Sequence, residues 1–108
     1  MSTKENIIER LSALLLNRKN SSDDSSYTAQ LYNKGIEAIL NKIDEEAKEL
    51  IEAGEMKPLA KKEMIHEAAD LWYHTMVLLA FNEIDPMKVL KELERREGIS
   101  GLEEKSRR

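Results

Sequence analysis

The sequence predicts an all-α fold, a bundle of four to five helices whose core is completed by homodimerisation. Three observations carry this reading. Apolar residues recur at spacings of three and four along most of the chain, the stripe of an amphipathic helix. No stretch alternates apolar and polar residues for long enough to suggest a sheet, and no internal repeat is visible. Finally, 108 residues suffice for one core only, and one layer of helices buries its apolar stripe poorly at that size, so a second copy is a natural cover.

The first helix spans roughly residues 3 to 18, with Ile7, Ile8, Leu11, Leu14 and Leu15 on one side. NRKNSSDDSS follows, and its Ser, Asp and Asn side chains compete for backbone hydrogen bonds, so residues 17–26 are expected to form a loop. A short helix begins near Thr28 in TAQLYNKG and is closed or bent at Gly35. A longer helix carries Ile36, Ile39, Leu40, Ile43, Ala47, Leu50 and Ile51 on one side and breaks at Gly54 and Pro58. The next helix runs over about 59–82, and Asp85-Pro86 opens the last one with an N-cap and a proline at its first position. Gly98 stops it, leaving residues 99–108 as a flexible polar tail of a single domain over 1–108.

Charge narrows the function. With 21 acids against 17 bases and a net charge of −4, nucleic-acid binding is not favoured, although bases gathered near Lys57 to Lys62 and late in the chain leave room for a local anion site. There is no cysteine, hence no disulfide framework, thiolate metal site or thiol nucleophile. The opening MSTKENIIERLSALLL resembles neither a signal peptide nor a membrane span, and the expectation is a soluble cytoplasmic protein without a membrane partner.

The chemistry lies in two acid stripes. In HEAADLWYHTMVLLA, residues 66–80, Glu67, Asp70 and His74 fall within roughly 60° around the helix axis, with Glu63 on the same strip. The rest of this helix is largely Ala, Leu, Trp, Met and Val, so the strip is expected to face a polar cavity. In KIDEEAKELIEA, Glu46 and Glu49 lie about 60° apart, with Lys42 between them in angle and Glu45 pointing farther outward. Antiparallel packing across the short Glu55 to Leu59 connection would set the two pairs opposite each other.

Four converging carboxylates would repel one another in a partly dry cavity. A divalent cation resolves that, and an all-oxygen set suits Mg²⁺, with Mn²⁺ as a substitute. The bland readings stand beside this one: EExxE is usually a solvated helix face, ExxD can be a structural ion pair, and His66 and His74 read as packing residues or as supports that touch the acids rather than the ion. Glu63 and His66 match one ExxH motif of di-iron bundles, which need two.

EExxE (Glu45, Glu46, Glu49) followed by ExxD (Glu67, Asp70) is similar to the signature of the all-α nucleotide pyrophosphohydrolases. SSYTAQLYNKG (Ser25 to Gly35), HEAADLWYH (His66 to His74) and ELERREGISGLEEKSRR (Glu92 to Arg108) resemble the phosphoribosyl-ATP pyrophosphatase family, over about residues 5–108. The resemblance implies a homodimeric Mg²⁺ enzyme that hydrolyses phosphoribosyl-ATP to phosphoribosyl-AMP and pyrophosphate, the second step of histidine biosynthesis. It implies Glu46, Glu49, Glu67 and Asp70 as metal ligands, and a water-orienting role for Glu45. Tyr27, Lys34 and Lys42 would line the substrate, and Arg95, Arg96 and Lys105 would meet phosphates. Two rivals stay open: a house-cleaning nucleoside triphosphate pyrophosphohydrolase using the same acids, and a non-catalytic dimerisation module.

Overall fold

The computed structural model describes residues 6–19 and 27–98. These form five helices, α1 (Ile7–Lys19), α2 (Tyr27–Lys34), α3 (Ile36–Glu55), α4 (Lys61–Phe81) and α5 (Met87–Glu97), with no strand among the described residues. The expected tail at 99–108 and most of the expected loop at 17–26 lie outside them.

Asn6 starts α1 with a reciprocal cap: its Oδ1 accepts the Glu9 N–H at 2.8 Å, and Glu9 Oε1 accepts the Asn6 N–H at 3.3 Å. The other end corrects the expected loop, because residues 17–19 are helical. Tertiary contacts extend this last turn. Leu15 is fully buried, Leu16 packs against the core, and the Leu15 carbonyl accepts the Tyr32 hydroxyl at 3.1 Å. Burial pushes the Tyr32 pKa up to about 12, so the phenol stays a donor.

Gly35 makes the corner between α2 and α3. Its φ of 96° lies in the left-handed half of backbone space, while its N–H reaches the Leu31 and Tyr32 carbonyls at 3.3 and 3.1 Å. A side chain there would be strained, so the sequence fixes the angle between the two helices with glycine.

α3 runs through Gly54 to Glu55, and five residues that include Pro58 lead into α4. The short connection makes the two helices antiparallel, and theirs is the most extensive pairing in the fold. α4 starts at Lys61, two residues later than expected. It ends in a Schellman turn: Ile84 N–H donates to the Leu79 carbonyl, and Glu83, at a φ of 61°, donates to that of Ala80. Asp85 Oδ1 then accepts the Met87 N–H at 2.9 Å, but the N-cap is Pro86 rather than the expected Asp85, which lies one residue outside the helix.

The core gathers Leu15, Leu31, Tyr32, Ile39, Met76, Val77 and Ala80. Each fully buried Leu, Ile or Val contributes about 1.5–3 kcal/mol. This cluster uses the first half of α3 and the second half of α4, so it leaves their other halves, which carry the acids, at the end of the hairpin next to the connecting residues 56–60. On the far side of α4, Trp72, Met76 and Leu79 face Val89 and Leu93 of α5 across an apolar groove of about 370 Å³.

Candidate active site

Four carboxylates from two helices make up the candidate site. On α4, Glu67 is buried and Asp70 half-buried, although nearly every neighbour on the helix is apolar. On α3, Glu46 is buried, with 5% of its surface exposed, whereas Glu49 and Glu45 are exposed. The pairs meet in the order that antiparallel packing dictates. Asp70 is close enough to Glu46 for its charge to raise the Glu46 pKa, and Glu49 acts in the same way on Glu67.

Both buried acids therefore hold protons more tightly than an ordinary glutamate. For Glu67 the largest cause is a hydrogen bond with Glu63, followed by burial and the charges of Glu49 and Glu63. For Glu46 it is burial, reinforced by Asp70 and opposed by His74 and Lys42. Two carboxyls can share a hydrogen bond only when one is protonated, so the α4 stripe is short of positive charge.

His74 turns out to be the centre of a buried network. Its Nδ1 lies 2.6 Å from Glu46 Oε1 and 3.0 Å from the Asp70 carbonyl oxygen, and its Nε2 lies 2.9 Å from the Tyr27 hydroxyl. The single hydrogen on Nδ1 is directed at the carbonyl. Glu46 Oε1, wholly enclosed, consequently has a close neighbour but no aligned donor. The edges of Tyr27 and Tyr73 flank the imidazole at 5.8 and 5.3 Å between ring centres.

At the outer end of the stripe, a ring nitrogen of His66 and one carboxylate oxygen each from Glu67 and Asp70 lie within 4.8 Å of one another. His66 Nε2 is 3.3 Å from Asp70 Oδ2 on an exposed part of the helix. A buried oxygen without an aligned donor on Glu46, and donor atoms of His66, Glu67 and Asp70 gathered within 4.8 Å, are features that a divalent cation could use, and Glu46, Glu49, Glu67 and Asp70 are the carboxylates that could hold one.

Lys42 and Tyr27 border this cluster. Lys42 Nζ is 3.3 Å from Glu45 Oε1, and that bond leads the causes that raise the lysine's pKa, which keeps it cationic. The Tyr27 hydroxyl is also shifted upward, first by burial, with Lys42 opposing and Glu46 reinforcing, so tyrosine, lysine and buried acid share one neighbourhood. Lys34 sits seven residues after Tyr27 on the same face of α2, about 10 Å farther along, and is exposed.

Arg95 and Arg96 are not brought to these acids within one chain. Both hold Glu92 on their own helix, at 2.6 Å from Arg95 Nη2 and 3.0 Å from Arg96 Nε, and they pull the Glu92 pKa down to about 2. The apolar groove shared with α5 lies on the face of α4 that carries Trp72 and Met76, roughly 160° around the axis from the acid stripe. Lys105 lies outside the described residues. Sequence reasoning left His74 open between packing and a supporting place behind the acids. Its place on the strip of Glu67 and Asp70 was the available signal, but the partner it meets is on another helix.

With this geometry in view, comparison with known proteins is direct. A family model described as phosphoribosyl-ATP pyrophosphohydrolase matches residues 8–97. A protein of Geobacter metallireducens named phosphoribosyl-ATP pyrophosphatase is 44% identical over 108 residues, covering 100% of this chain and 97% of that relative. Relatives of the same name from Janthinobacterium sp. and Trichlorobacter lovleyi are 49% and 46% identical, covering 94% and 100% of this chain and 94% and 98% of their own lengths.

Proposed function

The chain belongs to the phosphoribosyl-ATP pyrophosphohydrolase family, and on that premise we propose that it hydrolyses phosphoribosyl-ATP to phosphoribosyl-AMP and pyrophosphate as the second step of histidine biosynthesis. The observation that carries this beyond likeness is the pairing of two buried acids, Glu46 and Glu67, with Asp70 and Glu49 on facing helices. A structural ion-pair cluster would supply cations to such acids. This one leaves a buried oxygen without an aligned donor.

Glu46, Glu49, Glu67 and Asp70 would hold Mg²⁺, or Mn²⁺ in its place. The bound ion would neutralise phosphate charge and lower the pKa of attacking water. A carboxylate of the set not engaged with it accepts the proton of that water, whose oxygen bonds to phosphorus while the α–β anhydride bond breaks and pyrophosphate departs. Lys42, held cationic beside Glu45, offsets charge on the phosphates, and Tyr27 and Lys34 border the path of the substrate along α2. Glu45 keeps Lys42 in place and orients water from the exposed side.

The active species is proposed to be a homodimer. Ile65 and Trp72, two turns apart on α4, are 69% and 67% exposed in the single chain, more than an isolated helical domain of this size ordinarily tolerates for two such large groups. A partner subunit is also the natural source of phosphate-binding arginines, because Arg95 and Arg96 of the same chain lie behind α4. No helix among the described residues is long and apolar enough to cross a membrane, which agrees with action on a soluble nucleotide in the cytoplasm.

The test is pyrophosphate release from phosphoribosyl-ATP, alongside a panel of free and modified nucleoside triphosphates, with Mg²⁺ and with chelator. Release is expected from phosphoribosyl-ATP alone, only with the ion, and reduced about 10²- to 10³-fold or more in Glu67→Ala and Asp70→Ala of unchanged helicity. Full activity in either variant overturns the site. Preference for a free triphosphate overturns the substrate, and growth without histidine of a strain lacking this step checks the pathway.

A further inference from the structure

We propose that His74 and Tyr27 are positioning residues that hold the Glu46 carboxylate ready for a divalent cation, the imidazole being pinned at both nitrogens. The inference rests on the cation reading of the acids given above. It assigns work to two side chains that neither the acid motifs nor the core requires.

The argument begins with hydrogen-bonding capacity. A carbonyl oxygen only accepts, so His74 Nδ1, 3.0 Å from that of Asp70, must carry the hydrogen. In the neutral ring Nε2 is then an acceptor, and the Tyr27 hydroxyl at 2.9 Å donates to it. Both nitrogens are thereby satisfied, and the tautomer is fixed from two sides by two different helices.

Glu46 Oε1 lies 2.6 Å from the same Nδ1, inside the reach of its hydrogen but off its axis. The imidazole therefore bars rotation of the carboxylate toward α2 while leaving the oxygen's lone pairs unspent. A direct hydrogen bond would take up one of those lone pairs. Carboxylates that hold metals are oriented in this way by neighbours that touch the ligand rather than the ion.

The ring itself has little freedom. It is 95% buried, its edges meet Tyr27 and Tyr73, and Tyr73 is tied in turn to Thr28 at 2.6 Å, one residue along from Tyr27. Loss of the Tyr27 hydroxyl would release Nε2 and let the ring tilt. Glu46 would follow, because among the described residues no other donor is aligned with its buried oxygen.

The experiment is calorimetric titration of the full-length protein with Mn²⁺ in the absence of substrate, so that no contact between Tyr27 and a nucleotide contributes. It compares wild type, Glu67→Gln, Tyr27→Phe, His74→Leu and His74→Asn, with ¹⁵N NMR of the His74 ring in the metal-free wild type. The expected result is a wild-type ring protonated at Nδ1 and bare at Nε2, with ion affinity lowered about 10–100-fold by His74→Leu and at the low end of that range by Tyr27→Phe. His74→Asn, whose amide N–H can take the place of Nδ1–H, is expected to bind the ion better than His74→Leu. Tyr27→Phe removes one oxygen from a half-exposed ring, so it remains informative if the buried His74→Leu fails to fold. Wild-type affinity in Tyr27→Phe and His74→Leu beside a weakened Glu67→Gln overturns the positioning role and leaves the cation site standing, as does a ring protonated at Nε2. Absence of binding in the wild type overturns both.

Discussion

Thr28 Oγ1 and Tyr73 Oη lie 2.6 Å apart, tying the first turn of α2 to the middle of α4 beside the Tyr27–His74 contact. Thr28 is buried, so its hydroxyl has little water to turn to. Tyr73→Phe should destabilise the protein by about 1–2 kcal/mol, the cost of stranding one buried polar group. Urea unfolding reads this loss.

The raised pKa values of Glu46 and Glu67 set a pH dependence with a definite sign. Between the ordinary glutamate value near 4.3 and the raised folded value, the folded chain binds a proton that the unfolded chain has released, so stability falls as pH rises through that window. Glu67→Gln should therefore melt higher than wild type at neutral pH in chelator, and the difference should shrink as pH falls below the window. Mg²⁺ should raise the neutral-pH melting temperature of wild type more than that of the variant. Equal melting curves at every pH would contradict the buried-acid account.

At Gly35 a Cβ would meet no atom within 4 Å, so space is not the obstacle. The φ of 96° is. Gly35→Ala should cost about 1–3 kcal/mol through backbone strain alone. Because the corner sets α2 against α3, ion affinity should drop with stability, whereas a substitution at the exposed Gly54, inside α3 with negative φ, should lower neither.

Trp72 is the chain's one tryptophan and serves as its own reporter. In a dimer that covers α4 its emission should shift to the red on dilution, and Trp72→Glu should sediment as a monomer with a concentration-independent melting temperature. Sedimentation of this variant at the wild-type rate would remove α4 from the interface.

Much of the placement of the candidate acids was legible in the sequence because helical geometry is local. A period of 3.6 residues places Glu67 beside Asp70, and Glu46 beside Glu49, whatever the rest of the chain does. The short span from Glu55 to Lys61 left antiparallel packing as the natural outcome for two long helices, and this put the pairs face to face. The same logic gave the corner at Gly35 and the stop at Gly98.

The network around His74 was not legible, because a histidine on the acid strip of a mostly apolar helix has the same local pattern whether it packs or positions. The sequence by itself determined which side of each helix carries the acids, since that depends only on angles within one helix. Tertiary structure alone decided that the α1 helix continues through residues 17–19, that Tyr27 meets His74 across 47 positions of sequence, and that Arg95 and Arg96 sit behind α4. Each of these follows from how whole helices rotate to bury Leu15, Ile39 and Val77, a global choice that no local spacing encodes.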